Sequence, residues 1–460
     1  MHNLSILGTA SDVGKSTLTF VIAKLLQQRG ISTVPFKAQN VSNNSQVADD
    51  GSEIAISTFF QASVLGVETS WHLNPVLLKS GGFNRTGLIV AGKEAGAKDV
   101  RSYYRDLDAL KPVVDEGFTF LSEHYDCVVA EGAGGCVELN LLDKDLANTY
   151  ITETFDTKII LVADIEKGGV FAQIYGTVAL MSPKQRENLV GVVINKFRGD
   201  RSLFDEGVRI IERDFNVPVL GVLPYMPFNL GFEDSASLQN YTQKSHAKIK
   251  VGVIKLPHMS NFNDFEPLIL DEEVEVSFIV SGLEQYDLIC LPGSKRVAED
   301  LAWLYENGLV ESLRRFRGQI VAICGGYEML FQKIVDEEGV ESATKEVKGL
   351  GLIDDEIVFS PQKVLQKCTF TFHEVPLFGY EIHYGISKKY PLFYERENIF
   401  GTFVHGIFDN DWFRKYLFSR IDGEYRGFDF QKRRAEQIDT FVQTMGEELD
   451  IERVVSCIGA

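Results

Sequence analysis

Two short stretches carry side chains of the kinds that move phosphoryl and acyl groups. The first is Gly8-Thr9-Ala10-Ser11-Asp12-Val13-Gly14-Lys15-Ser16-Thr17, which follows the apolar run Leu4 to Leu7 and precedes apolar positions at Leu18, Val21, Ile22, Leu25 and Leu26. Strand, glycine loop and helix in that order make an anion cradle: small residues let the chain curl until backbone N–H groups and the positive helix end converge. The nucleotide-binding groups expected are Thr9, Ser11, Asp12, Val13, Gly14, Lys15, Ser16 and Thr17. Lys15 would reach the outer phosphates as a point charge, and the Ser16 hydroxyl would ligate Mg²⁺. The second stretch is Cys324-Gly325-Gly326-Tyr327, placed between a buried-strand pattern, Gln319 to Ile323, and a helical run expected over Glu328 to Ile334. A cysteine on so sharp a turn is the thiol form of a nucleophile elbow, and the helix N-terminus favours its thiolate. Gly325 and the Pro292-Gly293-Ser294 turn would supply oxyanion N–H groups. His405, within Gly401-Thr402-Phe403-Val404-His405-Gly406, is the best placed base among eight histidines. A lone cysteine or histidine is more often structural; the pair, in order and each in a glycine turn, points to acyl chemistry.

These groups need strands to hold them. A second strand, Ile31 to Phe36, delivers Lys37 and Asn40, followed by a polar loop with Asp49, Asp50 and Glu53. In a parallel α/β sheet, ligand groups collect beyond the carboxyl ends of the strands, so Lys37 and these carboxylates fall on the phosphate side, against the plain alternative of a surface loop. Tyr125 to Ala130 ends at Glu131, a candidate Mg²⁺ ligand together with Ser16 and Asp50, or else a helix cap. Strands Lys158 to Ala163, Leu189 to Ile194 and Val217 to Leu223 follow, near-continuous in Val, Ile and Leu as buried parallel strands are. Asn195 reads either as a purine-edge contact or as a turn cap. The polar segment from 231 to 248 is a linker. It separates residues 1–230 from 249–460, whose last forty-odd residues read as amphipathic helices packed on the second domain.

Bulk properties narrow the choice of partner. The chain has 460 residues, 45% hydrophobic and 24% charged, with a formal net charge of −19. That balance argues against a nucleic-acid or anionic-membrane surface. No basic segment leads into an apolar signal core, and no apolar run is long enough to span a bilayer. Six cysteines without paired spacing suit a reducing cytoplasm, with Cys127 and Cys290 as inert core thiols.

With both sites in view, the chain resembles the cobyric acid synthases, glutamine-dependent amidotransferases of cobalamin biosynthesis. The resemblance runs through Pro35 to Asn40 with Ser42-Asn43-Asn44-Ser45, Asn74 to Lys79, Glu131-Gly132-Ala133-Gly134, Val162 to Ile165 with Gly168 to Ala172, and Ile194 to Asp200. It continues through Leu291 to Lys295, Ile323 to Tyr327, Gly379 to His383 and His405-Gly406 with Phe408-Asp409-Asn410. Five residues between Gly8 and Gly14 match the loop of the dethiobiotin synthetase-like ATPases better than that of the GTPases. The resemblance implies a P-loop NTPase-like parallel-sheet domain followed by a class I glutaminase-like α/β domain. It implies Cys324 as nucleophile and His405 as its base, with Lys37, Asn40 and Lys79 on the substrate or phosphate side. ATP with Mg²⁺ would activate carboxylates b, d, e and g of adenosylcobyrinic acid a,c-diamide, and glutamine would supply ammonia. The sister a,c-diamide synthases remain an alternative, and so does a partitioning-type ATPase, against which the cysteine elbow counts. Three departures stand out. Glu53-Ile54-Ala55-Ile56-Ser57-Thr58 lacks a basic residue usual there, Gly135-Cys136 replaces a Ser-Pro pair, and Ile407 stands where triad glutaminases carry Glu. The last implies a Cys–His dyad, with Tyr380, Glu381 and His383 structural or interdomain.

Overall fold

A computed structural model of the chain describes residues 1–80, 85–99, 103, 107–228, 230, 244 and 246–459. They divide into two units: Met1–Ser42, Ala48–Gly231 and Ala435–Ala460 form the first, and Asn43–Val47 with Phe232–Arg434 the second. Most of the expected linker, 231–248, lies outside the described residues.

In the first unit a six-stranded sheet runs Val219–Pro224, Leu189–Phe197, Lys158–Asp164, Leu4–Gly8, Cys127–Glu131, Thr33–Phe36, in that spatial order. All its pairings are parallel. Side chains alternate across such strands, and the register Phe36–Ala130–Ser5–Ile159 puts these residues on one face. Along that face Val34, Phe36, Val128 and Ala130 join one core cluster, and Ile159, Leu161, Ala163, Val192 and Ile194 another. The first strand stops at Gly8 and the helix Lys15–Gln27 starts seven residues later, which sets the phosphate loop at the carboxyl edge of the sheet.

The tail departs from expectation. Helices Phe430–Glu447 and Ile451–Ile458 do form. Everything from Ala435 onward nevertheless belongs to the first unit. Phe441 packs on Phe228 at 4.4 Å between ring centroids and on Phe20 at 6.2 Å. Leu449 bridges Gly221, and His2 N donates to Ile458 O at 2.8 Å. An amphipathic pattern says that a helix has an apolar face without saying what covers it.

The second unit has its own six-stranded sheet, ordered Val274–Ile279, Ile249–Ile254, Leu288–Leu291, Gln319–Ile323, Ile399–Thr402, Phe393–Arg396. The last pair is antiparallel and the others parallel. A four-stranded sheet adds the long hairpin Ile353–Phe372 and Val375–Ile386. Here the helix expected over Glu328 to Ile334 gives way. Helix Gly325–Met329 lasts five residues, and Phe331–Val335 is a strand paired with Ile353 onward. Pairing across the hairpin sheet overrides the local pattern, and short apolar runs are ambiguous for this reason. Among the described residues no helix is long and apolar enough to cross a membrane.

Candidate functional site

The phosphate loop is held by what surrounds it. Gly14 sits at φ 99°, and a Cβ there would lie 2.2 Å from Asn195 Nδ2, so only glycine fits. Asn195 donates from Nδ2 to Val13 O at 2.8 Å and accepts Lys196 N at 2.9 Å on Oδ1. The amide is directed onto the loop, the contact a turn cap makes. Lys196 Nζ bridges Asp12 O at 2.5 Å and Asp164 Oδ2 at 2.9 Å. Thr9 donates from Oγ1 to Gln173 Oε1 at 3.2 Å, while Ser11 and Asp12 are exposed and Thr17 is half-buried.

Lys15 is buried and donates to Ala10 O at 3.0 Å and Gly134 O at 2.7 Å. Its pKa lies below the ordinary lysine value; burial is the main cause, Lys37 adds to it, and Glu131 opposes it. Glu131 is the hub. It accepts from Ser16 Oγ at 2.6 Å and Lys37 Nζ at 2.8 Å on Oε1, and from Gln61 Nε2 at 2.6 Å on Oε2. Burial pushes the Glu131 pKa up, but the Lys37 charge and the three hydrogen bonds outweigh it, so the carboxyl is held below its ordinary range. Lys37, Ser16 and Glu131 are thus brought together. Gln61 joins them although nothing singled it out in the sequence beyond a position one helical turn past the unusual Ser57.

Other candidates lie apart from this hub. Asp50 is exposed and closes a turn, accepting Ser52 N at 2.9 Å and Trp71 N at 3.2 Å, so it is not joined to Ser16 and Glu131 as a metal ligand. Asn40 Nδ2 donates to Ser57 Oγ at 3.2 Å, and Lys79 pairs with buried Glu53. Among the described residues no cluster of three His, Cys, Asp or Glu side chains could hold a metal. The adjacent Ser16 hydroxyl and Glu131 carboxylate do suit a hard cation that takes its remaining oxygens from phosphate and water.

The second site is built on Cys324, whose backbone at φ 51°, ψ −113° is strained for a side chain with a Cβ. Neighbouring packing enforces the turn: Cys324 N donates to Thr402 O at 2.8 Å, and a Cβ on Gly326 would lie 2.3 Å from Leu291 O. The thiol donates to Ile382 O at 3.5 Å. Gly325 backs onto Ser294, and a Cβ on Gly293 would come within 3.2 Å of His405 Cε1, so the Gly293 turn lies between the elbow and His405. His405 is 1% exposed, stacks on Tyr380 at 5.2 Å and hydrogen-bonds Cys324. Its Nδ1 donates at 2.7 Å to Oδ2 of Asp264, which is fully buried and whose Oδ1 accepts Gly406 N at 2.7 Å. Burial works to lower the His405 pKa, yet the Asp264 charge and then Cys324 override it and raise it to about 10. A bare Cys–His dyad is therefore not what the fold contains: a carboxylate reaches the imidazole from 141 positions upstream. Its one sequence signal is an acid wedged between Phe262 and Phe265. Glu381 accepts from Gln366 at 2.8 Å and bonds His383 at 3.2 Å, while His383 stacks on Phe403 at 3.9 Å.

Residues 4–229 match the CobQ/CobB/MinD/ParA nucleotide binding domain, and residues 250–413 match the CobB/CobQ-like glutamine amidotransferase domain. A cobyric acid synthase of Acinetobacter baylyi is 56% identical over 462 residues, spanning 100% of this chain and 99% of that protein. The chain belongs to the cobyric acid synthase family. Another member, from Clostridium acetobutylicum, is 36% identical over 490 residues, covering 100% of this chain and 99% of its own. A solved glutamine amidotransferase overlays 38% of this chain and 98% of its own at a TM-score of 0.30 and 13% identity, too loosely to carry weight. Membership in the family makes this chain a glutamine amidotransferase ligase of cobalamin biosynthesis, with a nucleotide-binding half and an amidotransferase half.

Proposed function

We propose that the chain converts adenosylcobyrinic acid a,c-diamide to cobyric acid by amidating carboxylates b, d, e and g, using ATP and glutamine. The observation that carries the reading is the coexistence, in one chain, of Lys15 and Lys37 beside the phosphate loop and of Cys324 hydrogen-bonded to His405. Carboxylate oxygen attacks the γ-phosphorus of ATP, the bond to the β-phosphate oxygen breaks, and an acyl phosphate and ADP result. Charge on the transferring group is what Lys15 and Lys37 stabilise, one from the loop and one from the neighbouring strand end. Ser16 and Glu131 would hold Mg²⁺, which when bound neutralises phosphate charge.

At the thiol site, the proton between Cys324 and His405 rests on the imidazole, and the sulfur attacks the glutamine side-chain carbonyl. Gly293 and Gly325 N–H groups are assigned to the oxyanion. His405 returns the proton to the departing nitrogen, ammonia leaves, and water releases glutamate from the thioester. Ammonia displaces phosphate from the acyl phosphate to give the amide. The test is amidation of cobyrinic a,c-diamide and ATP turnover by the parent chain and Cys324→Ser. The variant is expected to lose activity with glutamine and keep it with ammonium. Loss of both in a folded variant contradicts the nucleophile assignment, and ATP turnover indifferent to both compounds contradicts the substrate.

A further inference from the structure

We infer that Asp264 is a positioning residue of the thiol site, fixing the His405 ring so that Nε2 faces the sulfur and its charged form is balanced. The inference rests on the assignment of Cys324 and His405 and deepens it. Both Asp264 oxygens serve one residue: Oδ2 takes the ring N–H and Oδ1 takes the backbone N–H of Gly406, the next residue. A carboxylate only accepts, so Nδ1 carries a proton and the remaining ring nitrogen is left for Cys324. Ring orientation and tautomer are then both set by a single buried group, as the acid does in serine and cysteine triads of unrelated folds.

The element bearing Asp264 is rigid for reasons visible in its packing. Asn261 opens the turn at φ 55°, accepts Asp264 N on its carbonyl at 3.2 Å, and donates its own N–H to Asn44 Oδ1 at 2.6 Å. Phe262 and Phe265, 5% and 0% exposed, anchor the turn on either side of the acid. Among the described residues, Cys290, Cys324, Tyr380, Asp409 and Glu266 are the other titratable groups around the pair, with Arg414 and Arg434 acting on Asp409. Burial pushes Asp409 up to about 7 against the pull of Arg434 and Arg414, while Asp264 is the carboxylate that touches the imidazole directly.

Removing that counter-charge has a readout that a merely structural acid lacks. Without Asp264 the imidazolium loses its stabiliser, so the alkaline limb of kcat/KM for glutamine moves to lower pH, and the thiolate is populated only at higher pH. Asp264→Asn keeps the shape while exchanging the charge. It is expected to lower glutamine-dependent kcat by at least about 10²-fold, move the alkaline limb by more than one pH unit, and slow iodoacetamide alkylation of Cys324 at neutral pH. Amidation supplied with ammonium, which bypasses the thiol, reports folding. Glutamine-dependent activity within about threefold of the parent, with the limb unmoved, overturns the inference. Should the variant not fold, the parent chain with ¹⁵N-histidine decides: His405 is expected to stay doubly protonated at pH 8, and a neutral ring at pH 7 overturns the inference. Cys324→Ser run alongside separates the two readings, because its retention of glutamine use would sink the thiol assignment whatever Asp264 does.

Discussion

Glu131→Gln alters one atom type and one charge at the point where Ser16, Lys37 and Gln61 meet. The Lys37 and Glu131 side chains are only 7% and 1% exposed and lie 2.8 Å apart, so their attraction is poorly screened and the lysine has no easy route to water. Neutralising one partner of a buried pair costs about 3–5 kcal/mol, because the attraction is lost while the other charge stays buried. The amide adds a geometric conflict: its NH₂ must face either the Lys37 and Ser16 donors on Oε1 or the Gln61 donor on Oε2. Gln61 can relieve part of that by flipping, because its own Oε1 has no partner, at the loss of its 3.1 Å bond to Ser16 O. The lower end of the range, about 3 kcal/mol, is therefore expected, or roughly 6–12 °C in melting temperature for a unit of a few hundred residues.

The pH dependence sharpens the test. The Glu131 pKa is depressed in the folded chain: burial raises it, but Lys37 and the hydrogen bonds outweigh that. A depressed carboxyl contributes stability above its unfolded value of about 4.5 and loses it as pH falls through the folded pKa. Parent and variant should thus differ fully at pH 7 and converge in acid. Differential scanning fluorimetry at pH 7 and at descending pH, with amidation assayed in parallel, measures both. A variant as stable as the parent at pH 7, or a gap that widens in acid, would refute the reasoning about the hub.

Two further outcomes follow from buried groups elsewhere. Burial pushes Glu328 from 4.5 up to about 8 despite the Gly385 N–H it accepts. The folded chain holds this proton between those values while the unfolded chain releases it, so stability falls by about 1.4 kcal/mol per pH unit in that window. Glu328→Gln removes that slope, and urea midpoints should match the parent near pH 4.5 and exceed it at pH 8.5. Phe441→Ala takes a ring 3% exposed out of the Phe20–Phe228 cluster and should cost about 3–5 kcal/mol in the first unit, read as a lower melting temperature with Mg·ATP protection retained.

What could be read from the chain was whatever is local. The strand ends, the curl at Gly8 to Gly14 and the elbow at Cys324 each declare themselves within about ten residues, because hydrophobic period and turn chemistry act over that distance. The same limit explains what was missed. Asp264 meets His405 across 141 positions, and Gln61 meets Glu131 across 70, with no spacing rule linking either pair. Phe331–Val335 reads as helix until its partner strand at Ile353 is known. The destination of the C-terminal helices depends on Phe20 and Phe228, more than two hundred positions from Phe441.

The carboxylates at the two sites have a common physical logic. At the phosphate loop a buried carboxylate, Glu131, faces Lys37, and at the thiol site another, Asp264, faces His405. Each carboxylate lies against a basic group in buried surroundings that screen the attraction poorly. Lys15 shows the alternative: its contacts are backbone carbonyls at 2.7 and 3.0 Å, and its pKa falls because burial outweighs Glu131. A lysine bonded only to neutral oxygens gains most when a phosphate arrives, whereas one already paired gains less. Phosphate should therefore tighten on Lys15 while Lys37 remains shared with Glu131. That division of labour between the two lysines follows from the carboxylate's position alone.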